Sequence, residues 1–305
     1  MSGKKATRRA YGDYLVELGA KNPNIVAMDA DLADATFTRL FKEAYPDRFF
    51  DCGIAEANMV DMAAGLSTMG FIPFASSFAV FGTGRAYEQL RNGVAYSKFN
   101  VKLACSHSGI STGPDGGSHQ SIEDIALMRV IPGMTVIVPA DEGETRKAMD
   151  AAIALNGPVY IRLARAETNI LPDHPFELGK AAVLKDGSDV ALVCCGVVVD
   201  ECLKAAEQLE AEGISAAVLN VHTIKPFDAE TVRAYAEKCG KVITVEDHSV
   251  IGGLGDAAAA ALCGMGGFTF TKLGSQDRFG QSASPAELMH EYGIDAESIV
   301  AAAKA

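Results

Sequence analysis

The chain has 305 residues, 49% of them hydrophobic and 22% charged, with a formal net charge of −12 at pH 7. That length suits two α/β units, since domains commonly run to about 100–200 residues. The acidic balance excludes partners that need a basic surface, nucleic acid and anionic membrane among them. No run approaches the roughly 18 apolar residues of a membrane span.

The opening, MSGKKATRRAYGDYLVELG, is basic but lacks the apolar core of a signal peptide. Seven scattered cysteines, with Cys194 and Cys195 adjacent, suit neither a zinc knuckle nor a disulfide framework. Reduced thiols in a cytoplasmic protein are therefore expected.

In chain order, NIVAMDA (24–30) predicts a strand, Thr36–Ala44 a helix, FFDCG (49–53) a strand and Ala55–Met69 a helix. FIPFA (71–75), VKLACSH (101–107), MTVIVPA (134–140) and PVYIRLA (158–164) continue the strand series. Helical patterns at Gly84–Lys98, Ile122–Val130 and Glu142–Leu155 separate them. This alternation implies βαβ crossovers and a parallel sheet covered on both faces. Near Asn169 the texture changes to NILPDHPFELGKAAVLKDGSD, a linker rich in turn formers. Strands at 190–195, 215–221, 241–247 and 268–274 then alternate with helices starting near Asp200, Asp228 and Gly255. The fold class is α/β with two doubly wound domains, a mainly parallel one over 1–175 and a smaller one over 176–305.

Open α/β sheets bind ligands beyond their C-terminal strand ends, and three such loops stand out. DCGIAEAN puts Glu56 at a helix start, where a carboxylate is also favoured by the dipole alone. SSFAVFGTGRAYEQLRN holds Phe78 and Phe81 three apart, a spacing that core residues also show. SHSGISTGPDGGSHQSIED gathers His107, Asp115 and His119 in a glycine-rich loop that buries little and orders much. Two His and an Asp could ligate metal, but their spacing fits no closed site, and no metal ligand is assigned. There is no GxxxxGK[ST] loop, no GxSxG elbow, and the glycines of SVIGGLGD do not match a dinucleotide fingerprint.

Together these stretches resemble transketolases and related thiamine-diphosphate enzymes. FFDCGIAEANMVDMAAGLSTMGFIPFASSFAVF is similar to the family's pyrimidine-binding signature, and SHSGISTGPDGGSHQSIEDIALMRVIPGMTVIVPAD to its substrate loop. LNVHTIKPFD and TVEDHSVIGGLG resemble its C-terminal domain. The resemblance implies that Glu56 hydrogen-bonds the aminopyrimidine ring nitrogen and favours the imino tautomer that deprotonates the thiazolium carbon. It implies that Phe78 and Phe81 wall the pyrimidine, by stacking of about 0.5–1.5 kcal/mol per pair, and that Asp31 lies near the cofactor. His107 and His119 are then expected to bind substrate and relay protons, Asp115 to accept from a sugar hydroxyl, and Arg165 to hold the substrate phosphate.

The family's metal and diphosphate motif, GDG followed downstream by an Asn pair, is absent. The chain is thus expected to be the C-terminal subunit of a split transketolase. Mg²⁺ and diphosphate ligands would lie on an N-terminal partner subunit, in a heterotetramer acting on sugar phosphates. Deoxyxylulose-phosphate synthase, a 2-oxoacid dehydrogenase β subunit and a non-catalytic scaffold are the alternatives. One departure stands out: the family's DLTPSN reads here as Asp31-Leu32-Ala33-Asp34-Ala35-Thr36, with Ala35 in place of a phosphate-holding serine. Either Thr36 or Thr38 substitutes for that serine, or the acceptor is an unusual sugar or a sulfonate.

Overall fold

Short apolar runs bounded by small-residue turns fold as strands buried on both faces, as a helix-covered parallel sheet requires. The computed structural model describes residues 3–305. Strand β1 (Lys4–Ala6) leads into helix α1 (Thr7–Lys21). Then come β2 (Ile25–Asp29), α2 (Ala33–Thr36), α3 (Arg39–Ala44), β3 (Phe49–Asp51), α4 (Glu56–Thr68), β4 (Ile72–Phe78) and α5 (Ala79–Gly84). A π-helical stretch at Gln89–Tyr96 precedes β5 (Lys102–Ser106), and a 3-10 turn at Ile110–Asp115 follows it. Helix α6 (Asp124–Val130), β6 (Thr135–Ile137), α7 (Glu142–Ala154) and β7 (Val159–Arg162) come next, and β8 (Glu167–Asn169) pairs antiparallel with β1.

The second half contributes β9 (Ala182–Lys185), β10 (Val190–Cys194), α8 (Val199–Ala211), β11 (Ala216–Asn220), β12 (Thr223–Lys225) and α9 (Ala229–Cys239). It ends with β13 (Lys241–Ser249), α10 (Leu254–Leu262), β14 (Thr269–Ser275), α11 (Pro285–Glu291) and α12 (Ala296–Lys304). Five of its strands form a sheet in the order β14-β13-β10-β11-β9, parallel except for β9. The sixth, β12, leaves that sheet and pairs antiparallel with β6. The first sheet therefore has seven strands, β12-β6-β7-β5-β4-β2-β3. Its strand order reverses between β2 and β4, the kind of crevice where such sheets bind ligands. One apolar cluster runs through both halves, joining Leu103 and Val136 to Leu219 and Leu254. Among the described residues no helix is long and apolar enough to cross a membrane.

Several local expectations need correcting. Helix α1 lies in a stretch to which no element is assigned from the sequence, and its first turn carries basic residues and no acid. The helix predicted over Thr36–Ala44 is two helices, broken at Phe37 with φ 64°. Tertiary contacts hold that break: the Arg8 and Arg9 guanidiniums sit 5.2 and 5.0 Å from the Phe37 ring. Gly12 lies so close that a Cβ there would come within 2.5 Å of Phe37 Cβ. The helix predicted over Gly84–Lys98 is an α-helix that ends at Gly84, then the π-helical stretch. Glycines at 82, 84 and 93 weaken a continuous α-helix there.

Candidate active site

Strands β4 and β5 are neighbours in register, with Phe78 opposite Ser106, so the residues following them meet at the C-terminal edge of the sheet. Helix α5 starts at once after β4 and brings Phe81 beside Phe78, ring centroids 5.9 Å apart and planes 14° from parallel. His107 adopts φ 58°, a left-handed conformation that turns its imidazole back onto Phe78, with centroids 3.7 Å apart. His119 stands edge-on to both rings, at 6.1 and 5.4 Å.

Glu56 opens α4 and is 3% exposed. Arg85 Nη1 donates to its Oε1 at 3.2 Å, and the same guanidinium lies 4.2 Å over the Phe81 ring. Among the described residues this is the carboxylate's single hydrogen bond, so Oε2 is left to serve a ligand. A buried carboxylate with one unpartnered oxygen beside near-parallel aromatic rings fits a flat heteroaromatic ring carrying a basic nitrogen. The aromatic wall is narrower than the sequence implies, because His107 covers one face of Phe78 and Arg85 one face of Phe81.

Burial, followed by the nearby Arg8, Arg165 and His119, pushes the His107 imidazole down to about 3. It is neutral at any physiological pH, with Nδ1 2.8 Å from Ser106 Oγ and Nε2 3.5 Å from Arg8 Nη1. Arg8 is a site residue the sequence reading did not name. Its Nη1 donates to Ala35 O at 2.7 Å, while its Nε is buried without a partner. Burial, and then Arg165, depress the Arg8 guanidinium. Arg165 Nη1 donates to Thr112 O at 3.0 Å, and its Nη2 is 3.9 Å from Asp115 Oδ1. The Arg165 guanidinium beside Asp115, with Arg8 close enough to feel its charge, forms an electropositive corner suited to an anion. The signal for Arg8 lay in TRRA, two cations in a first helical turn where the dipole disfavours them.

Asp31 stays apart from the aromatic and histidine cluster. It is exposed at the end of β2, has φ 63°, and its backbone N–H donates to Asp51 Oδ1 at 3.2 Å. The buried carboxylate at this strand end is Asp29, which burial raises to about 6. It accepts from Leu32 N at 2.6 Å, Thr36 Oγ1 at 2.7 Å and Thr38 Oγ1 at 2.9 Å. The idea that Thr36 or Thr38 replaces the missing serine therefore fails, because the break at Phe37 turns both hydroxyls inward onto Asp29. The glycine run of SVIGGLGD likewise holds its own anion. Glu246 accepts from Leu254 N at 2.7 Å and Gly255 N at 2.8 Å at the start of α10, and burial raises its carboxyl to about 7.

Comparison with known proteins bears on this arrangement. The family model for the transketolase pyrimidine binding domain matches residues 3–170, and that for the transketolase C-terminal domain matches residues 179–299. The chain is 45% identical over 298 residues to the 6-deoxy-6-sulfo-D-fructose transketolase subunit of Clostridium sp. (strain MSTE9), covering 97% of this chain and 92% of that one. It is 41% identical to Homo sapiens transketolase over 99% of its own length but 49% of the human protein, so it spans about half of that relative. Among solved structures, a split gene transketolase described as an inactive beta4 tetramer matches with a TM-score of 0.89 and 48% identity, covering 99% of this chain and 98% of that one.

Proposed function

The chain belongs to the transketolase family, with its pyrimidine-binding and C-terminal domains, and on that premise we propose that it is one subunit of a two-chain, thiamine-diphosphate-dependent transketolase that moves a two-carbon ketol unit from a ketose to an aldose. The observation that carries this reading is the buried Glu56 carboxylate, with one oxygen free, beside the Phe78–Phe81 pair and a neutral His107. Thiamine diphosphate, when bound, supplies the nucleophilic carbon needed to cleave a carbon–carbon bond next to a carbonyl.

This chain's residues hold one side of that chemistry. Glu56 shares a proton through Oε2 with a pyrimidine nitrogen, in a site dry enough to strengthen the bond. Phe78 and Phe81 offer their remaining faces to the ring, and Asp31 stands at the rim on the cofactor's side. Neutral His107 and the more exposed His119 exchange protons with carbonyl and hydroxyl oxygens of the sugar, and Asp115 accepts from a hydroxyl. Arg165, joined by Arg8, binds the anionic end of the substrate. Mg²⁺ and diphosphate ligands come from a partner subunit in a heterotetramer, a reading supported by a split relative that is described as inactive when it is a β4 tetramer.

The departure at Ala35 favours a second reading of the substrate's anion. Its loop offers Arg8 a carbonyl and no hydroxyl donor, which suits a sulfonate as well as a phosphate, and one relative is a 6-deoxy-6-sulfo-D-fructose transketolase subunit. The test is reconstitution with a diphosphate-binding subunit, then a screen of phosphorylated, sulfonated and neutral ketose donors. Arg165→Ala should impair charged donors far more than neutral ones. Equal impairment would remove Arg165 from the anion site, and turnover of pyruvate in place of ketoses would move the assignment to the alternatives. Tight Mg²⁺-dependent binding of thiamine diphosphate to the chain alone, seen by calorimetry, would overturn the two-chain reading.

A further inference from the structure

The glycine-rich loop after β5 is held from the other half of the molecule. Asp247, 3% exposed near the end of β13, accepts from Ile110 N at 2.8 Å through Oδ1 and from Ser111 N at 3.2 Å through Oδ2. These are the first two N–H groups of the 3-10 turn Ile110–Asp115, so one carboxylate caps that turn. The fit is tight: Gly109 has φ 73°, and a Cβ there would lie 2.2 Å from the Asp247 carboxylate. Arg162 fixes the strand carrying Asp247, donating to its backbone oxygen at 2.9 Å while paired with Asp124 at 2.7 and 3.0 Å. Two further bonds cross the same junction, Gln120 Nε2 to Gln281 O at 3.0 Å and Ser249 N to Ile122 O at 2.8 Å.

The capped turn carries groups assigned to substrate. Thr112 O receives Arg165, and Asp115, which faces Arg165, ends the turn. We propose that Asp247 is a positioning residue for the reaction: from the C-terminal domain it fixes the Ile110–Asp115 turn and so sets where Arg165 and Asp115 meet the substrate. This rests on the reading of that loop as the substrate loop. It gives the C-terminal domain a defined part in specificity without contact with the sugar.

Two perturbations approach the same contact from opposite sides. Asp247→Asn keeps the volume but sets an NH₂ against a backbone donor, and Gly109→Ala pushes a methyl into the carboxylate. Hydrogen exchange by mass spectrometry on the peptide 108–116 of the full chain should quicken about tenfold or more in both variants, with cooperative melting retained. In the reconstituted complex KM for an anionic ketose should rise about 10- to 10²-fold, while proton exchange at the cofactor, which depends on Glu56, stays at the wild-type rate. Unchanged loop exchange in Asp247→Asn overturns the proposal whatever the activity. Equal losses in loop protection, cofactor proton exchange and kcat would also overturn it, by reducing Asp247 to general support. A loosened loop in a complex whose wild type turns over no ketose would sink the transketolase assignment and leave the anchoring intact.

Discussion

Replacing Glu56 with glutamine separates stability from chemistry at one position. The wild-type carboxylate is 3% exposed, begins a 13-residue helix and meets a single partner, Arg85, whose side chain is 54% exposed. Glu56→Gln loses a first-turn charge interaction of about 0.3–1 kcal/mol and a half-exposed ion pair of about 0–1 kcal/mol. It gains relief from burying a charge, so the net change should stay within about 1 kcal/mol, or a Tm shift of about 2–4 °C in a domain of this size. Shape and hydrogen-bonding reach are retained. The amide cannot share a proton with a weakly basic nitrogen, so turnover in the reconstituted complex should fall by about 10²-fold or more. Hydrogen–deuterium exchange at the reactive cofactor carbon, followed by NMR beside a thermal melt, reads both quantities. Wild-type exchange in a normally folded variant would refute the assignment of Glu56. A fall in Tm far beyond that range would show the carboxylate to be a structural cap.

His107 is held neutral by burial and two guanidiniums, so His107→Asn should lower kcat/KM without moving the acid limb of the pH–rate profile between about pH 5 and 8; loss of that limb would show that His107 titrates there. Lys102, fully buried at the far end of β5, donates to Asn100 Oδ1 at 2.6 Å and to Leu155 O and Gly157 O at 2.8 Å each. Lys102→Met leaves these acceptors dry and should cost about 1–3 kcal/mol, read from the urea midpoint. Burial lowers the Lys102 amine from 10.5 to about 7, so between those values the unfolded chain keeps a proton that the folded chain releases. The Lys102 contribution to stability should therefore grow with pH across that window, and the rise should flatten in Lys102→Met.

Phe78 closes β4, His107 follows β5 and Glu56 opens α4 a short turn past β3; all three were legible because apolar patterning locates strand ends without knowledge of the rest of the fold. Arg8 was hidden because its role depends on α1 docking its first turn against the edge of the sheet, where Thr7 Oγ1 accepts from Ala164 N across 157 positions. Asp247 was hidden for the same reason: ITVEDH reads as a strand, and nothing local says that its carboxylate reaches a loop 137 positions earlier. Thr36 and Thr38 misled because a helical pattern would have turned them outward, and the contacts of Phe37 with Arg8, Arg9 and Gly12 decided otherwise. Local pattern gave the strand ends, while the packing between halves decided which polar groups meet there.

Strand β12 bears on how this chain can be divided. By pairing with β6 it covers the backbone edge of Thr135–Ile137, a short apolar stretch that would otherwise present open N–H and C=O groups. A first domain expressed without residues 223–225 would carry that sticky edge into solution and tend to recruit other chains through it. A chain nicked in the linker after β8 would, in contrast, stay together, zipped by the borrowed strand and by the cluster joining Val136 to Leu219. The pieces that are separate in sequence behave in this fold as one unit of assembly.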